Sequence, residues 1–102
     1  MKIGIPTDDG RIISEHFGRA KYFLIVDTEN GSQARRLVEN PHEKEENEQS
    51  GHGKLLKMLV ENKVEKVICF NLNPRMEKNL KSLKIEVERV SEGSNIESIL
   101  HG

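Results

Sequence analysis

The chain has 102 residues, with 16 lysines and arginines against 17 aspartates and glutamates, a formal net charge of −1. The length suits one domain, and the balanced charge argues against broad nucleic-acid binding, which needs a concentrated basic face. The single cysteine, Cys69, excludes an intramolecular disulfide, no apolar run approaches the length that spans a bilayer, and the start at Met1-Lys2-Ile3-Gly4 has no secretory pattern, so a cytoplasmic protein without membrane contact is expected.

Lys2 to Pro6 reads as a short buried strand, and Asp8-Asp9-Gly10 as a turn in which Gly10 takes a positive φ and the aspartates bond nearby amides. Ile12 and Ile13 continue in extended form. Ser14 is placed to cap one helical turn carrying Glu15, His16 and Phe17, with Gly18 ending it. Tyr22 to Thr28 is aromatic and β-branched, as strands are, and Asn30-Gly31 is a favoured hairpin dipeptide before a returning strand from Ser32 to Glu39. Residues 42–50 (HEKEENEQS) contain no apolar side chain and predict a mobile acidic loop. Gly51-His52-Gly53 then leads into a helix whose buried face is marked by Leu55, Leu56, Leu59 and Val60.

Val64 to Phe70 predicts a second buried strand. Asn73-Pro74 starts a helix, asparagine at the cap and proline in the first turn, with Met76, Leu80 and Leu83 inward. Lys84 to Val90 alternates about Ile85 and Val87 like a half-buried strand. Ser94 and Glu97 have capping-box spacing before a last helix bearing Ile96, Ile99 and Leu100. The order predicts an α/β fold in a single domain over residues 1–102. An antiparallel three-strand meander is followed by β-α-β units in one mixed five-stranded sheet, with helices packed on it, an order that matches the ribonuclease H-like motif.

Chemistry concentrates in the run Ser14-Glu15-His16-Phe17-Gly18-Arg19-Ala20. A turn needs glycine but neither a histidine nor an arginine, and that combination suits a surface holding an anion or a metal centre. Neutral imidazole at His16 is a metal ligand, and the alternative is a packing or turn-capping role. Arg19 offers a permanent donor fork to an anion, the alternative being a salt bridge to Asp8 or Asp9. His52 is expected at a helix start, where free amides and the dipole favour an anionic ligand, with Gly53 permitting close approach; the alternative is a flexible loop end. His42 reads as an exposed bystander. Cys69, within Val67-Ile68-Cys69-Phe70, reads as a buried hydrophobe or, alternatively, a thiolate ligand, and with no CxxC pair a four-cysteine cluster cannot form in one chain. Asp8, Asp9 and Asp27 raise a metal-dependent nuclease as a lesser reading.

Several blocks together resemble the dinitrogenase iron–molybdenum cofactor biosynthesis family, the NifX-like domain. They are Thr7-Asp8-Asp9-Gly10 after the opening strand, Ser14 to Ala20 leading into Tyr22-Phe23, the Gly51-His52-Gly53 entry, and the closing Ile85-Glu86-Val87 strand. The resemblance covers nearly the whole chain. It implies a small non-catalytic carrier for iron–molybdenum cofactor or an iron–sulfur cluster, with His16 and His52 as metal ligands and Gly18, Arg19 and Gly53 completing the cofactor-binding set. Implied partners are the cluster or its precursor and a cluster donor or acceptor protein, the chain acting as monomer or homodimer. One departure stands out: Asn71-Leu72-Asn73-Pro74-Arg75 replaces the family's frequent glycine-rich turn. The alternative function is a protein-interaction or regulatory module of the same fold without cofactor, docking through the acidic loop.

Overall fold

The computed structural model describes residues 1–29, 32–41 and 48–101, with side chains for all of these except 32 and 48–52. Strands β1 (Lys2–Thr7), β2 (Tyr22–Glu29) and β3 (Ser32–Glu39) precede helix α1 (Glu48–Glu61), and then come β4 (Lys66–Cys69), α2 (Pro74–Ser82), β5 (Glu86–Arg89) and α3 (Ile96–His101). The five strands form one sheet in the order β3-β2-β1-β4-β5. β2 is antiparallel to both β1 and β3, with Thr7 opposite Tyr22 and Tyr22 opposite Glu39. β4 is parallel to β1 and to β5. The mixed sheet expected from the element order is the one found.

Side-chain alternation sorts the strands onto two faces. Phe23, Ile25, Val67 and Cys69 pack on one face with Leu55 and Leu59 of α1 and Met76 and Leu80 of α2. Their neighbours in sequence, Leu24, Val26 and Ile68, turn to the other face with Ile5, Ile13 and Ile96. Each large apolar side chain removed from water in this way contributes about 1.5–3 kcal/mol. Arg35 and Glu97 form an ion pair that ties α3 to β3 across the second face.

These directions place Thr7, Glu39, Cys69 and Arg89 at one end of the sheet. α1 leaves from that end: Glu39 and Pro41 line a shallow groove with Lys54, Lys57 and Met58. It returns to the opposite end, where the Glu65 amide donates to the Lys2 carbonyl at 2.8 Å.

Several expected boundaries move. α1 begins at Glu48, so the predicted 42–50 loop gives up its last three residues to helix, while residues 42–47, His42 among them, lie outside the described residues. Burial of Leu55 and Leu59, both fully covered, drives the helix through its glycines, and an acidic residue in the first turn suits the dipole. Val60 proves exposed, and Met58 packs on the core with Leu56 instead. Leu83 is the exposed C-cap of α2 rather than part of its inner face. β5 starts late because Lys84 takes a left-handed φ of 61°. α3 is capped by Asn95, which accepts from the Ser98 amide at 3.2 Å; Ser94 instead donates to the Ser91 carbonyl and Glu97 turns to Arg35. Asn30-Gly31 lie outside the described residues, but the strands they join pair up to Glu29 opposite Ser32.

Candidate functional site

The connection between β1 and β2, residues 8–21, crosses the carboxyl end of the sheet. It is fastened at each step. The buried Thr7 hydroxyl donates to the Ile12 carbonyl at 2.7 Å and accepts from the Gly10 amide at 2.9 Å. Gly10 takes the expected positive φ, 82°. Asp9 accepts from the amides of Arg11 and Ile12, and these donors hold its carboxyl below the usual carboxylate range. Asp8 reaches further and accepts from the Lys21 amide at 2.9 Å and the Ser14 hydroxyl at 3.3 Å.

Ser14 to Phe17 is not the helical turn the sequence suggested. The buried Ser14 donates its amide to the Pro6 carbonyl and accepts the His16 amide on its hydroxyl at 3.1 Å, a local turn that replaces helical bonding. Gly18 also keeps a φ outside the left-handed region, so it ends no helix. Apolar residues fix the path instead. Ile13 belongs to the core under α3, whereas Phe17 belongs to the core under α1 and α2, stacked edge-on against Phe23 with ring centroids 5.1 Å apart. The chain therefore steps from one face of the sheet to the other, and Glu15 and His16 are exposed at the crossing. Arg19 is exposed between half-buried Gly18 and fully buried Ala20.

A single buried side chain that the sequence did not single out holds this last stretch. Asn40, 1 % exposed at the end of β3, donates its side-chain amide to the carbonyls of Gly18 at 3.1 Å and Ala20 at 2.8 Å. Its backbone amide donates to the Lys21 carbonyl at 3.0 Å. Next to Pro41 it reads in sequence as a strand end, and nothing local reveals partners some twenty residues away.

His52 and Gly53 lie in the second turn of α1, so the expected free amides of a helix start are not at His52. Topology nevertheless brings this turn to the end of the sheet that His16 occupies. Leu55, three residues after His52, and Phe17, next to His16, share one core cluster. A Cβ on Gly53 would meet nothing within 4 Å, so neither packing nor turn geometry requires glycine there.

The remaining candidates separate. Among the described residues Arg19 forms no ion pair, so the salt bridge to Asp8 or Asp9 is not made. Cys69 is fully buried, and burial pushes its thiol up to about 11 against a smaller opposing effect of the Arg89 charge. Asp27 lies opposite Lys2 at the start of β1, while Asp8 follows its end, about 20 Å of extended chain away; the carboxylate cluster of a nuclease is not assembled from these three. Asn73 caps α2 by accepting the Met76 amide at 2.8 Å, with no positive φ at Asn71 or Asn73. Arg89 donates to the Leu72 carbonyl and to Glu77 at 2.8 Å, securing the same turn. No group of three histidine, cysteine, aspartate or glutamate side chains suited to a metal ion occurs among the described residues, and the His52 ring is not one of these.

The sheet order and the loop across its carboxyl end define a small α/β domain that presents an imidazole and a guanidinium on a fixed surface. The chain belongs to the dinitrogenase iron-molybdenum cofactor family, whose model matches residues 1–102. It is 35% identical over 101 residues to an uncharacterised protein of Methanocaldococcus jannaschii, covering 97% of this chain and 82% of that one. A candidate NifB protein from Thermotoga has the same fold at a TM-score of 0.76 and 28% identity, over 98% of this chain and 84% of its own. The apo form of the orange protein from Desulfovibrio gigas superposes at a TM-score of 0.82 over 98% of this chain and 83% of its own, and at 17% identity that likeness concerns the fold alone.

Proposed function

We propose that the chain is a carrier, not an enzyme, for iron–molybdenum cofactor or an iron–sulfur precursor, taken up at the carboxyl end of the sheet. Membership of the cofactor family supports the cargo class. The observation that carries the site is an exposed His16 three residues from an exposed Arg19, which has no ion pair among the described residues, on a loop whose backbone is tied down on both sides. His16 and His52 would ligate a metal of the cluster, and Arg19 would balance its negative charge. A Cβ at Gly53 would meet nothing within 4 Å, so the approach is open there, and Gly18 would complete the set. The donor set suits exchangeable cargo: imidazole and guanidinium at the surface, with the Cys69 thiol buried and held protonated. A carrier of this kind works in the cytoplasm and meets a cluster donor or acceptor protein. No helix among the described residues is long and apolar enough to cross a membrane.

The test is anaerobic titration of purified apo-protein with isolated iron–molybdenum cofactor and, separately, with a [4Fe–4S] cluster, followed by gel filtration and metal analysis. Stoichiometric co-elution with the parent chain and its loss in a His16→Ala, His52→Ala double variant is the expected result. Uptake by the double variant equal to the parent's would overturn the assignment of the site, and no uptake by the parent would overturn the carrier reading.

A further inference from the structure

Asn40 lies outside the residues assigned above, yet the loop that carries His16 and Arg19 is held by it. Its side chain is buried, and a buried amide is retained only where its hydrogen bonds are made. Both of its observed acceptors are carbonyls of the candidate loop, Gly18 and Ala20, and they flank Arg19. With its backbone bond to Lys21, three carbonyls of a four-residue stretch point inward at one residue. Arg19 is the residue left facing out, between Gly18 and the fully buried Ala20. An –NH2 group has two hydrogens for two carbonyls, whereas aspartate has none and serine one. On the other side Asn40 continues through Pro41 toward α1, which carries His52 and Gly53.

We propose that Asn40 is the positioning residue of the site: by gripping the carbonyls on both sides of Arg19 it fixes the direction in which the guanidinium leaves the loop. The grip itself is a matter of backbone geometry, and its service to a binding site rests on the carrier reading.

The experiment combines a double-mutant cycle with NMR. The parent, Arg19→Ala, Asn40→Ala and the double variant are titrated anaerobically with isolated iron–molybdenum cofactor. Residual dipolar couplings report backbone orientation at residues 18–20 in the parent and in Asn40→Ala. Ile96→Val, a core change on the opposite face, controls for general loss of stability. Asn40→Ala is expected to weaken uptake roughly fivefold, Ile96→Val to leave it unchanged, and the double variant to fall within about twofold of Arg19→Ala, because Asn40 acts through Arg19. Additive losses, or parent-like uptake by Asn40→Ala, would overturn the proposal. If the parent takes up no cofactor, the carrier reading fails by itself. The dipolar couplings then decide the positioning role: a reorientation confined to residues 18–20 upholds it, and couplings unchanged from the parent overturn it.

Discussion

The two arms of the proposed site differ in how they are held. The arm bearing His16 and Arg19 has no regular secondary structure, yet its course is fixed by Phe17 and Ala20 in the core, by Asp8 and Ser14 within the loop, and by Asn40 from the neighbouring strand. The arm bearing His52 is regular helix, built from Glu48-Gln49-Ser50-Gly51-His52-Gly53, and the first buried side chain among its described ones is Leu55. An irregular segment can thus hold a fixed course when side chains satisfy its carbonyls and apolar groups pin its path. Order at a binding surface is decided by such tertiary bonds more than by the helix or loop label.

The contrast makes graded predictions. Removing the Phe17 ring should unpin the first arm. Phe17→Ala is expected to cost about 3–5 kcal/mol in urea unfolding, as truncations of buried aromatics do, and to abolish uptake with it. A cost below about 1 kcal/mol would show that the loop is held without its core anchor.

Cys69 tests the shared core beneath both arms. Its folded thiol titrates near 11, above its unfolded value, so its contribution is complete at neutral pH and is lost as the pH rises from about 9 to 11. The loss should approach about 2–3 kcal/mol and disappear in Cys69→Ala, measured as the difference between the two alkaline stability curves. Curves that stay parallel would mean that the thiol is accessible to water.

The second arm should respond in the opposite sense. Gly53→Ala places a methyl in open space within a helix, so it should raise stability by about 0.5–1 kcal/mol. If Gly53 serves the cargo, uptake should weaken in the same variant. Uptake that stays level would remove Gly53 from the site and leave it as a helix-weakening residue alone. The smallest effect on stability is expected at the exposed His16: His16→Ala should shift unfolding by less than about 0.5 kcal/mol while reducing uptake. This dissociation of stability from binding is what sets a ligand apart from a packing histidine.

Much of this architecture is legible in the sequence. The aromatic and β-branched run Tyr22 to Thr28, the Asn73-Pro74 helix start and the turn at Gly10 each rest on local physics and fall where expected. The element order suffices to predict the mixed sheet. What local reasoning misses depends on partners remote in the chain. Glycines at 51 and 53 argue for a helix start after them, but Leu55 and Leu59 bury enough surface to extend the helix back to Glu48. Ser94 and Glu97 have the spacing of a capping box, but Arg35, 62 residues from Glu97, takes the glutamate, and Asn95 caps in place of Ser94. For the site, His16, Gly18 and Arg19 fall on one loop as their sequence pattern suggests, whereas Asn40 belongs to the same assembly only through the pairing of Tyr22 with Glu39.

The passage of residues 13–17 from one core to the other has a kinetic consequence. A flap opens by rotating about hinges at its base, with its tip free in solvent. Here Ile13 and Phe17, on either side of Glu15 and His16, are rooted in separate cores, and rotation about either one drags the other out of its packing. No low-cost swing is open to His16. A metal bound to its ring would therefore depart by exchange at the metal, one incoming donor replacing imidazole, and the residence time would follow the nucleophilicity and concentration of the acceptor rather than any opening rate of the carrier.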